Sequence, residues 1–331
     1  MIAVVLASAS ASALAMSGSV PAATAAHALP LRTVARVPLP GPSVRFDYTS
    51  IDPTTNRLYI AHMDASQLLI LNLHTRRVIK TISAAGVHGV LAVPSLNRVY
   101  ASATNDREAI TLNGRTGTIL ARAPAGEYPD GLAYDSADRH VFVSDETGGV
   151  ETVLNAAGHR IATISLGGEA GNVQYDSISH TILVDVQGRN DIAVIDPRTN
   201  RIVRRVGLPG CAHDHGLLVD APRRLAFVAC DGNARLLTLD LKRMKITGSS
   251  SVGGSPDVLA FDSSLRRLYV SAESGVVSVF AEHGRTLTKL GEASLAPFAH
   301  TVAVDPRTHL VYFPLQSGSD GKPQLLIMKP A

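Results

Sequence analysis

Short apolar runs recur along the whole chain, and turn-forming residues separate each run from the next. Runs such as "LLILNL" and "RRVIKTI" are joined by polar loops, and no stretch keeps the spacing of an amphipathic helix. Short apolar runs between turn residues are typical of β-strands. The pattern therefore predicts an all-β fold.

The runs belong to a repeat of about 42 residues. The segments "SIDPTTNRLYIA", "AYDSADRHVFVS" and "AFDSSLRRLYVS" stand at equivalent places, and an aromatic residue often follows the central Asp by seven positions. This central position, which we call the anchor, is Asp52, Val93, Asp135, Asp176, Asp220, Asp262 and Asp305 in the seven repeats. Four short strands in a repeat of this length describe a propeller blade, so the sequence predicts a seven-bladed β-propeller with four-stranded blades.

The two ends of the predicted propeller complement each other. The seventh repeat stops one strand short, after "QLLIMKP", whereas "RVPLPG" (Arg36–Gly41) matches "RVGLPG" (Arg205–Gly210), the outer strand of the fourth repeat and the turn after it. We therefore expect the N-terminal strand to complete blade 7 and to join the ends of the ring without an open sheet edge. The predicted propeller domain covers residues 29–331.

The first 28 residues differ in composition from the rest of the chain. They contain no charged side chain, are rich in Ala and Ser, and end in small-residue triplets at 23–25 and 26–28. These features predict a signal peptide over 1–28, cleaved between Ala25 and Ala28, and hence a periplasmic or secreted protein. A disordered Ala/Ser-rich tail is the alternative. The remaining sequence has no apolar run of the ~18 residues that can span a bilayer.

The strings "DPTTNRLYIA", "DSSLRRLYVS" and "DPRTHLVYFP", with leading segments such as "PDGLAYD", resemble the YncE-like, YVTN-repeat family of bacterial seven-bladed propellers. The resemblance extends over residues 31–331, although "YIAH" and "YVSA" stand where the family usually has "YVTN" or "YVAN". It implies the propeller fold. It implies no single activity, because the family includes binding proteins, secreted proteins and many members with no assigned reaction.

Polar residues recur five residues before the anchor. This position, which we call the ring position, is Asp47, His88, Asp130, Gly171, His215, Asp257 and His300 in the seven repeats. The innermost strand of a propeller blade starts at the mouth of the central channel, so we expect the ring residues to surround the channel axis.

Two interpretations of the ring residues remain open at this point. Short polar side chains commonly cap turns by hydrogen bonding to nearby backbone, and repetition would copy this role around the propeller. Alternatively, the three ring histidines converge on the axis and bind a divalent transition metal, Zn, Cu or Fe. The three ring aspartates would then orient the imidazoles or act as general bases.

Further acidic and histidine side chains are expected on the same top face, in the loop after the second strand of each blade. They are His62, Asp64, Asp145, Glu146, Asp185, Asp231 and Glu273. Carboxylates suit Ca²⁺, but no EF-hand pattern is present, and solvated turn residues are the alternative. Asp231 and Glu273 from this set, and His213 and Asp214 beside His215, are candidates for supporting a bound ligand.

The two cysteines flank the first two strands of blade 5. Cys211 precedes the innermost strand and Cys230 follows the second strand, so both lie at the same end of neighbouring antiparallel strands. In an exported protein this placement predicts a Cys211–Cys230 disulfide. The alternative is a pair of thiolate metal ligands beside His213 and His215.

Charge and motifs narrow the range of functions. The formal net charge is only +3 and the basic residues occur as scattered pairs, so no nucleic-acid partner is expected. G-x-S-x-G, H-E-x-x-H and a phosphate-binding glycine loop are absent from the sequence. The leading hypothesis is a monomeric exported propeller that binds a small molecule or a protein on its top face, with or without a metal. The alternatives are a metal-dependent hydrolase, lactonase or lyase that uses the ring, and a purely structural envelope module.

Overall fold

Seven four-stranded antiparallel sheets make up the computed structural model, which describes residues 28–331. The innermost strands of successive sheets pack against one another, and the last packs against the first, so the sheets close into a ring around a channel. The seven-bladed propeller predicted from the repeat is confirmed. Residues 1–27, almost the whole of the predicted signal peptide, lie outside the described residues.

Each blade runs from its innermost to its outermost strand in chain order, except blade 7. Blades 1 to 3 are β2 (Thr49–Asp52), β3 (Arg57–His62), β4 (Gln67–Asn72), β5 (Arg77–Ser83); β6 (Val87–Val93), β7 (Arg98–Ala103), β8 (Glu108–Asn113), β9 (Ile119–Pro124); and β10 (Pro129–Asp135), β11 (His140–Asp145), β12 (Val150–Asn155), β13 (Arg160–Ser165). Blades 4 and 5 are β14 (Ala170–Asp176), β15 (Thr181–Val186), β16 (Asp191–Asp196), β17 (Arg201–Gly207); and β18 (Asp214–Asp220), β19 (Leu225–Cys230), β20 (Arg235–Asp240), β21 (Lys245–Ser251). Blades 6 and 7 are β22 (Pro256–Asp262), β23 (Arg267–Ala272), β24 (Val276–His283), β25 (Thr286–Ser294); and β26 (Ala303–Asp305), β27 (Leu310–Leu315), β28 (Gln324–Pro330), β1 (Leu31–Pro38). Short 3-10 helices lie in the loops at Pro94–Leu96, Thr104–Asp106, Gln187–Arg189, Ala221–Arg223 and Asp231–Asn233.

The anchor aspartates form the tight turn between the first two strands of a blade. The side chain of Asp52 accepts a hydrogen bond from the backbone N–H of Thr54 at 2.8 Å. The N–H two residues further on donates in the same way to Asp135, Asp176, Asp262 and Asp305. Asp side chains favour such turns because they replace a backbone acceptor. The most regular feature of the repeat is therefore a folding signal.

The aromatic residues seven positions after the anchor link neighbouring blades. Tyr59 and Tyr100 are buried between sheets, where aromatic rings contribute large apolar contact areas. The hydroxyl of Tyr59 donates to the carbonyl of Gly114 in blade 2, and that of Tyr100 donates to the carbonyl of Ala156 in blade 3, both at 2.7 Å. These two bonds tie blade 1 to the outer turn of blade 2, and blade 2 to the outer turn of blade 3.

The outermost strand of every blade carries a bulge, where its pairing with the third strand shifts by one residue. In four consecutive blades the bulged residue is an exposed aliphatic side chain, namely Ile79, Leu120, Ile161 and Val203. A bulge leaves its extra residue unpaired and bends the strand locally. The outward edges of the sheets are therefore irregular.

The chain ends and the disulfide lie as the sequence predicts. β1 pairs antiparallel with β28, placing Arg36 opposite Leu326, so the N-terminal strand completes blade 7. Cys211 and Cys230 form a disulfide that ties the loop before β18 to the end of β19. Both sulfurs are consumed in this bond, which excludes the alternative of two thiolate ligands. Within residues 28–331, no helix has the length and apolar character needed to cross a bilayer.

Candidate functional site

The ring residues lie where the innermost strands depart from regular pairing. In blade 3 the ladder between β10 and β11 is interrupted between Pro129 and Leu132, and Asp130 lies in this irregular segment. The same interruption occurs at the ring residues His88, Gly171, His215 and Asp257. A bulge takes a side chain out of the regular alternation of a strand. Here it allows consecutive blades to direct their ring side chains to one place.

Carboxylate and imidazole groups alternate around the ring, and neighbours are in contact. The distances from the imidazole Nε2 to the nearest carboxylate oxygen are 3.2 Å for His88–Asp47, 3.4 Å for His88–Asp130, 3.2 Å for His215–Asp257, 3.5 Å for His300–Asp47 and 3.9 Å for His300–Asp257. Five contacts thus connect six residues from six blades. The structure brings these six side chains together as ion pairs.

The ring is interrupted at Gly171, between Asp130 and His215. A Cβ added at Gly171 would lie 2.9 Å from the carbonyl oxygen of His215 and 3.0 Å from that of Asp214, so the close approach of β14 and β18 excludes a side chain. Asp130, on one side of this gap, is 1% exposed, and neither of its carboxylate oxygens has a hydrogen-bond partner among residues 28–331.

The ring carboxylates favour protonated histidines. Burial opposes a charged imidazole, yet the two flanking aspartates outweigh this effect and raise the pKa of His88 to about 9. Asp257 likewise overcomes burial and raises the pKa of His215 to about 10. The pKa of His300 is also raised, because Asp47 outweighs the cost of burial. His88 and His215 are therefore cations at neutral pH, and the same carboxylates favour the protonated form of His300.

The pKa of each ring aspartate depends on how many imidazolium groups lie beside it. Burial favours the neutral acid, but the two neighbouring imidazolium groups hold the pKa of Asp47 well below its usual value. The pKa of Asp257 is also lowered against burial, chiefly by His215. At Asp130 burial prevails and raises the pKa to about 6. Asp130 is thus the ring carboxylate with the least compensated negative charge.

A cavity of about 520 Å³ opens at the channel mouth, above the ring. Three ring residues line it directly: His88, His215 and Asp257. Three of the predicted supporting residues also line it: His213, Asp231 and Glu273. Asp47, Asp130 and His300 are almost fully buried and do not line the cavity. The site therefore has a buried layer of charges and a polar cavity above it.

Arg45 and Tyr128 line the cavity although the sequence analysis did not single them out. The guanidinium of Arg45 donates from Nε to Asp47 at 2.9 Å and from Nη1 to Glu273 at 2.7 Å. Both residues stand two positions before a ring residue, as His213 stands two positions before His215. A comparison of the residues two positions before the ring position in each repeat would have identified Arg45 and Tyr128.

Two of the loop candidates support the fold rather than the cavity. The carboxylate of Asp145 accepts hydrogen bonds from the backbone N–H groups of Glu127 and Tyr128, at 2.8 and 2.7 Å. It thereby holds the loop that carries Tyr128. His62 is buried and its ring stacks on Phe46, with 3.9 Å between centroids.

Asp214 and Asp185 are buried close to Gly171 and lie outside the cavity lining. Asp214 accepts a hydrogen bond from the backbone N–H of Val186 at 3.0 Å, and burial raises its pKa to about 7. Burial and the nearby carboxyl of Asp214 raise the pKa of Asp185 well above its usual value. Asp214 therefore contributes to the backbone junction between blades 4 and 5.

One group of side chains in residues 28–331 has the spacing of a metal site. Single ligand atoms of Asp47, Asp257 and His300 all lie within 4.8 Å of one another. The three ring histidines do not form such a group, because carboxylates or the Gly171 gap separate them around the ring. Two carboxylates and an imidazole suit a divalent cation, but Arg45 already places a positive charge against Asp47.

Comparison with known proteins shows the fold. No protein-family model matches the chain, and no curated protein matches it. Among solved structures, the RRP9 WD40 repeats are similar with a TM-score of 0.76 and 9% identity, covering 91% of this chain and 100% of that one. A chain of the mitotic checkpoint complex has a TM-score of 0.75 and 12% identity, with coverage of 96% and 98%. A chain of Kuenenia stuttgartiensis hydrazine synthase has a TM-score of 0.74 and 10% identity, with coverage of 95% and 99%. Identities this low show a shared propeller fold and nothing about activity.

We predict that the free energy of unfolding falls as the pH rises from 7 to 10. The raised pKa values of His88 and His215 make the folded state bind more protons than the unfolded state in this range. Their stabilisation is complete below about pH 6.5 and is lost as the pH passes the folded pKa, at up to about 1.4 kcal/mol per pH unit for each histidine. Urea denaturation at several pH values measures the slope.

The variant His215→Gln removes the contribution of His215 to the pH dependence of the free energy of unfolding, because glutamine cannot take up the proton. Buried Glu151, whose pKa burial raises to about 8, adds a slope of the same sign below that pH. The difference between variant and wild type is therefore the informative quantity. The variant should have a shallower slope, and exposed His74→Gln should match wild type. A slope that His215→Gln leaves unchanged would contradict the raised pKa of His215.

Proposed function

We propose that this protein is an exported propeller of the YncE-like type that binds a small polar molecule in the channel-mouth cavity. The observation that carries the proposal is the convergence of charged side chains from six blades on and beneath one cavity of about 520 Å³. Cavities of this size with a few converging polar groups are typical small-molecule sites. A closed ring of sheets also holds such groups at fixed distances while the loops are free to vary.

The polar groups at the cavity are fixed by their neighbours. Arg45 is held by Asp47 and Glu273, and His215 is held by Asp257. Side chains that are already ordered lose little conformational entropy when a ligand binds, so more of the contact energy appears as affinity. This preorganisation supports a binding role for the cavity.

We predict that filling the cavity abolishes ligand binding. Met63 lines the cavity, and Met63→Trp places a large ring in it. Saturation-transfer NMR with a panel of small amines, carboxylates, sugars and nucleosides should find binders of the wild type that bind Met63→Trp at least about tenfold more weakly. Ile161→Trp, on an exposed outer strand, is the matched control and should bind as wild type. The proposal would be contradicted if no compound of the panel bound the wild type, or if the compounds that bind had the same affinity for Met63→Trp.

Export is supported by the uncharged segment 1–28 and by the Cys211–Cys230 disulfide, a bond that persists in oxidising compartments. We predict that the protein recovered from the periplasm or medium begins after cleavage between Ala25 and Ala28. Its intact mass measures the cleavage position, and thiol titration of the unfolded, unreduced protein should find no free thiol. A full-length chain retained in the cytoplasm with two free thiols would be the opposite result.

A second candidate function, a metal-dependent hydrolase or lyase, is favoured by the Asp47, Asp257 and His300 group. A divalent cation there would bind His300 as a neutral imidazole and would lie close to the positive charge of Arg45, which pairs with Oδ2 of Asp47. This candidate predicts about one equivalent of Zn²⁺ after reconstitution, and a loss of at least about tenfold in metal affinity in Asp257→Asn. Asp231→Asn, on the cavity wall, is the control and should retain the metal. Less than a tenth of an equivalent in wild type, by elemental analysis, would exclude this candidate.

A further inference from the structure

We infer that the ligand of this cavity is an organic cation, a small molecule with a primary ammonium group that Glu146 binds beside the wall formed by Tyr128. The inference rests on the proposed binding function and adds the chemical class of the ligand. Four observations support it: the charge balance at the mouth, the pairing of its cations, the position of Glu146 and the aromatic wall.

Carboxylates outnumber cations at the channel mouth. The cationic groups are Arg45, His88, His215 and His300. The carboxylates of the cavity and of the ring beneath it are Asp47, Asp64, Asp130, Asp231, Asp257, Glu146 and Glu273. An excess of negative charge in a concave site attracts positively charged ligands.

The existing cations are already paired with carboxylates. Arg45 donates to two of them, and each ring histidine has a carboxylate oxygen within 3.5 Å. A negatively charged ligand would therefore have to displace an ion pair that the protein already makes. Among residues 28–331, Glu146 and Asp64 are cavity carboxylates with no cationic side chain within 4.0 Å.

Glu146 is fixed beside the gap in the ring. Its carboxylate accepts a hydrogen bond from Nε2 of Gln187 at 3.2 Å, and the same Nε2 donates to the carbonyl of Ala170 at 2.7 Å. Ala170 immediately precedes Gly171, so these contacts hold Glu146 next to the one ring position without a side chain. The buried carboxylate of Asp130 flanks the same gap, where it makes no hydrogen bond to any described residue and has the ion pair with His88, at 3.4 Å, on its other side. A buried charge with too few partners favours an approaching opposite charge.

Tyr128 forms an aromatic wall of the cavity near Glu146. Its ring contacts His88 edge to face, with 5.5 Å between centroids, and Asp145 holds its backbone. A cation within about 6 Å of a tyrosine ring gains electrostatic attraction. An ammonium group between Glu146 and Tyr128 would thus have a charged acceptor and an aromatic face, which a carboxylate or a neutral group could not use equally.

Isothermal titration calorimetry with three four-carbon probes tests the inference. Putrescine, 1,4-butanediol and succinate have similar lengths and carry a double positive charge, no charge and a double negative charge. We expect putrescine to bind, and the other two to bind at least about tenfold more weakly. Glu146→Gln should weaken putrescine binding by roughly tenfold or more, and Tyr128→Leu by about threefold. Exposed Glu127→Gln, beside Tyr128, is the matched control and should bind putrescine as wild type.

The outcomes separate this inference from the proposed function. Binding of succinate or butanediol as tight as that of putrescine, lost in Met63→Trp, would overturn the cation class and leave the binding site standing. Putrescine binding that Glu146→Gln leaves unchanged would overturn the inference, as would no binding of putrescine to wild type. Circular dichroism and the thermal midpoint of each variant verify that a loss of binding is not a loss of fold.

Discussion

The antiparallel pairing of β1 with β28 holds the ring of blades closed, and the site depends on that closure. Each ring residue comes from a different blade, so no single blade contains a functional unit. The contact between His300 of blade 7 and Asp47 of blade 1 lies at the junction that this pairing completes. A ring that opened there would separate the two residues and expose charges that are now buried. The contact that closes the ring of blades therefore also holds the site residues in position.

The alternation of aspartates and protonated histidines lowers the free-energy cost of burying the charged ring residues. Isolated buried charges are costly, whereas a charge with an opposite neighbour recovers part of that cost. Asp47 has imidazolium neighbours on both sides and stays ionised, while Asp130 has a ring partner on one side only because Gly171 follows it. The same interruption thus explains both the raised pKa of Asp130 and the local excess of negative charge. A backbone contact between blades 4 and 5 determines the electrostatics of the mouth.

Most of the fold could be predicted from the sequence because its determinants are local and repeated. The anchor Asp makes its turn with residues two positions away, and that interaction recurs in five blades. The ring position could be predicted from the same register, but the contacts within the ring could not. Bulges in the innermost strands set the direction of these side chains, and regular strand alternation does not reveal them. Arg45 was missed because its role depends on Asp47 and on Glu273, which is 228 residues away in the chain. The alternation of Asp and His around the ring could be predicted, but the pairing of each histidine with a neighbouring aspartate could not.

The bulges in the outermost strands bear on how molecules of this protein meet one another. Seven blades present seven outward sheet edges, and a regular edge offers unpaired N–H and C=O groups to a strand from another molecule. Each bulge takes one residue out of the ladder and bends the edge, so a foreign strand can pair over only a short length. The exposed side chains of Ile79, Leu120, Ile161 and Val203 lie at these interruptions. The exposed apolar side chains on the rim thus lie where the strand edge is least able to pair with a strand of another molecule.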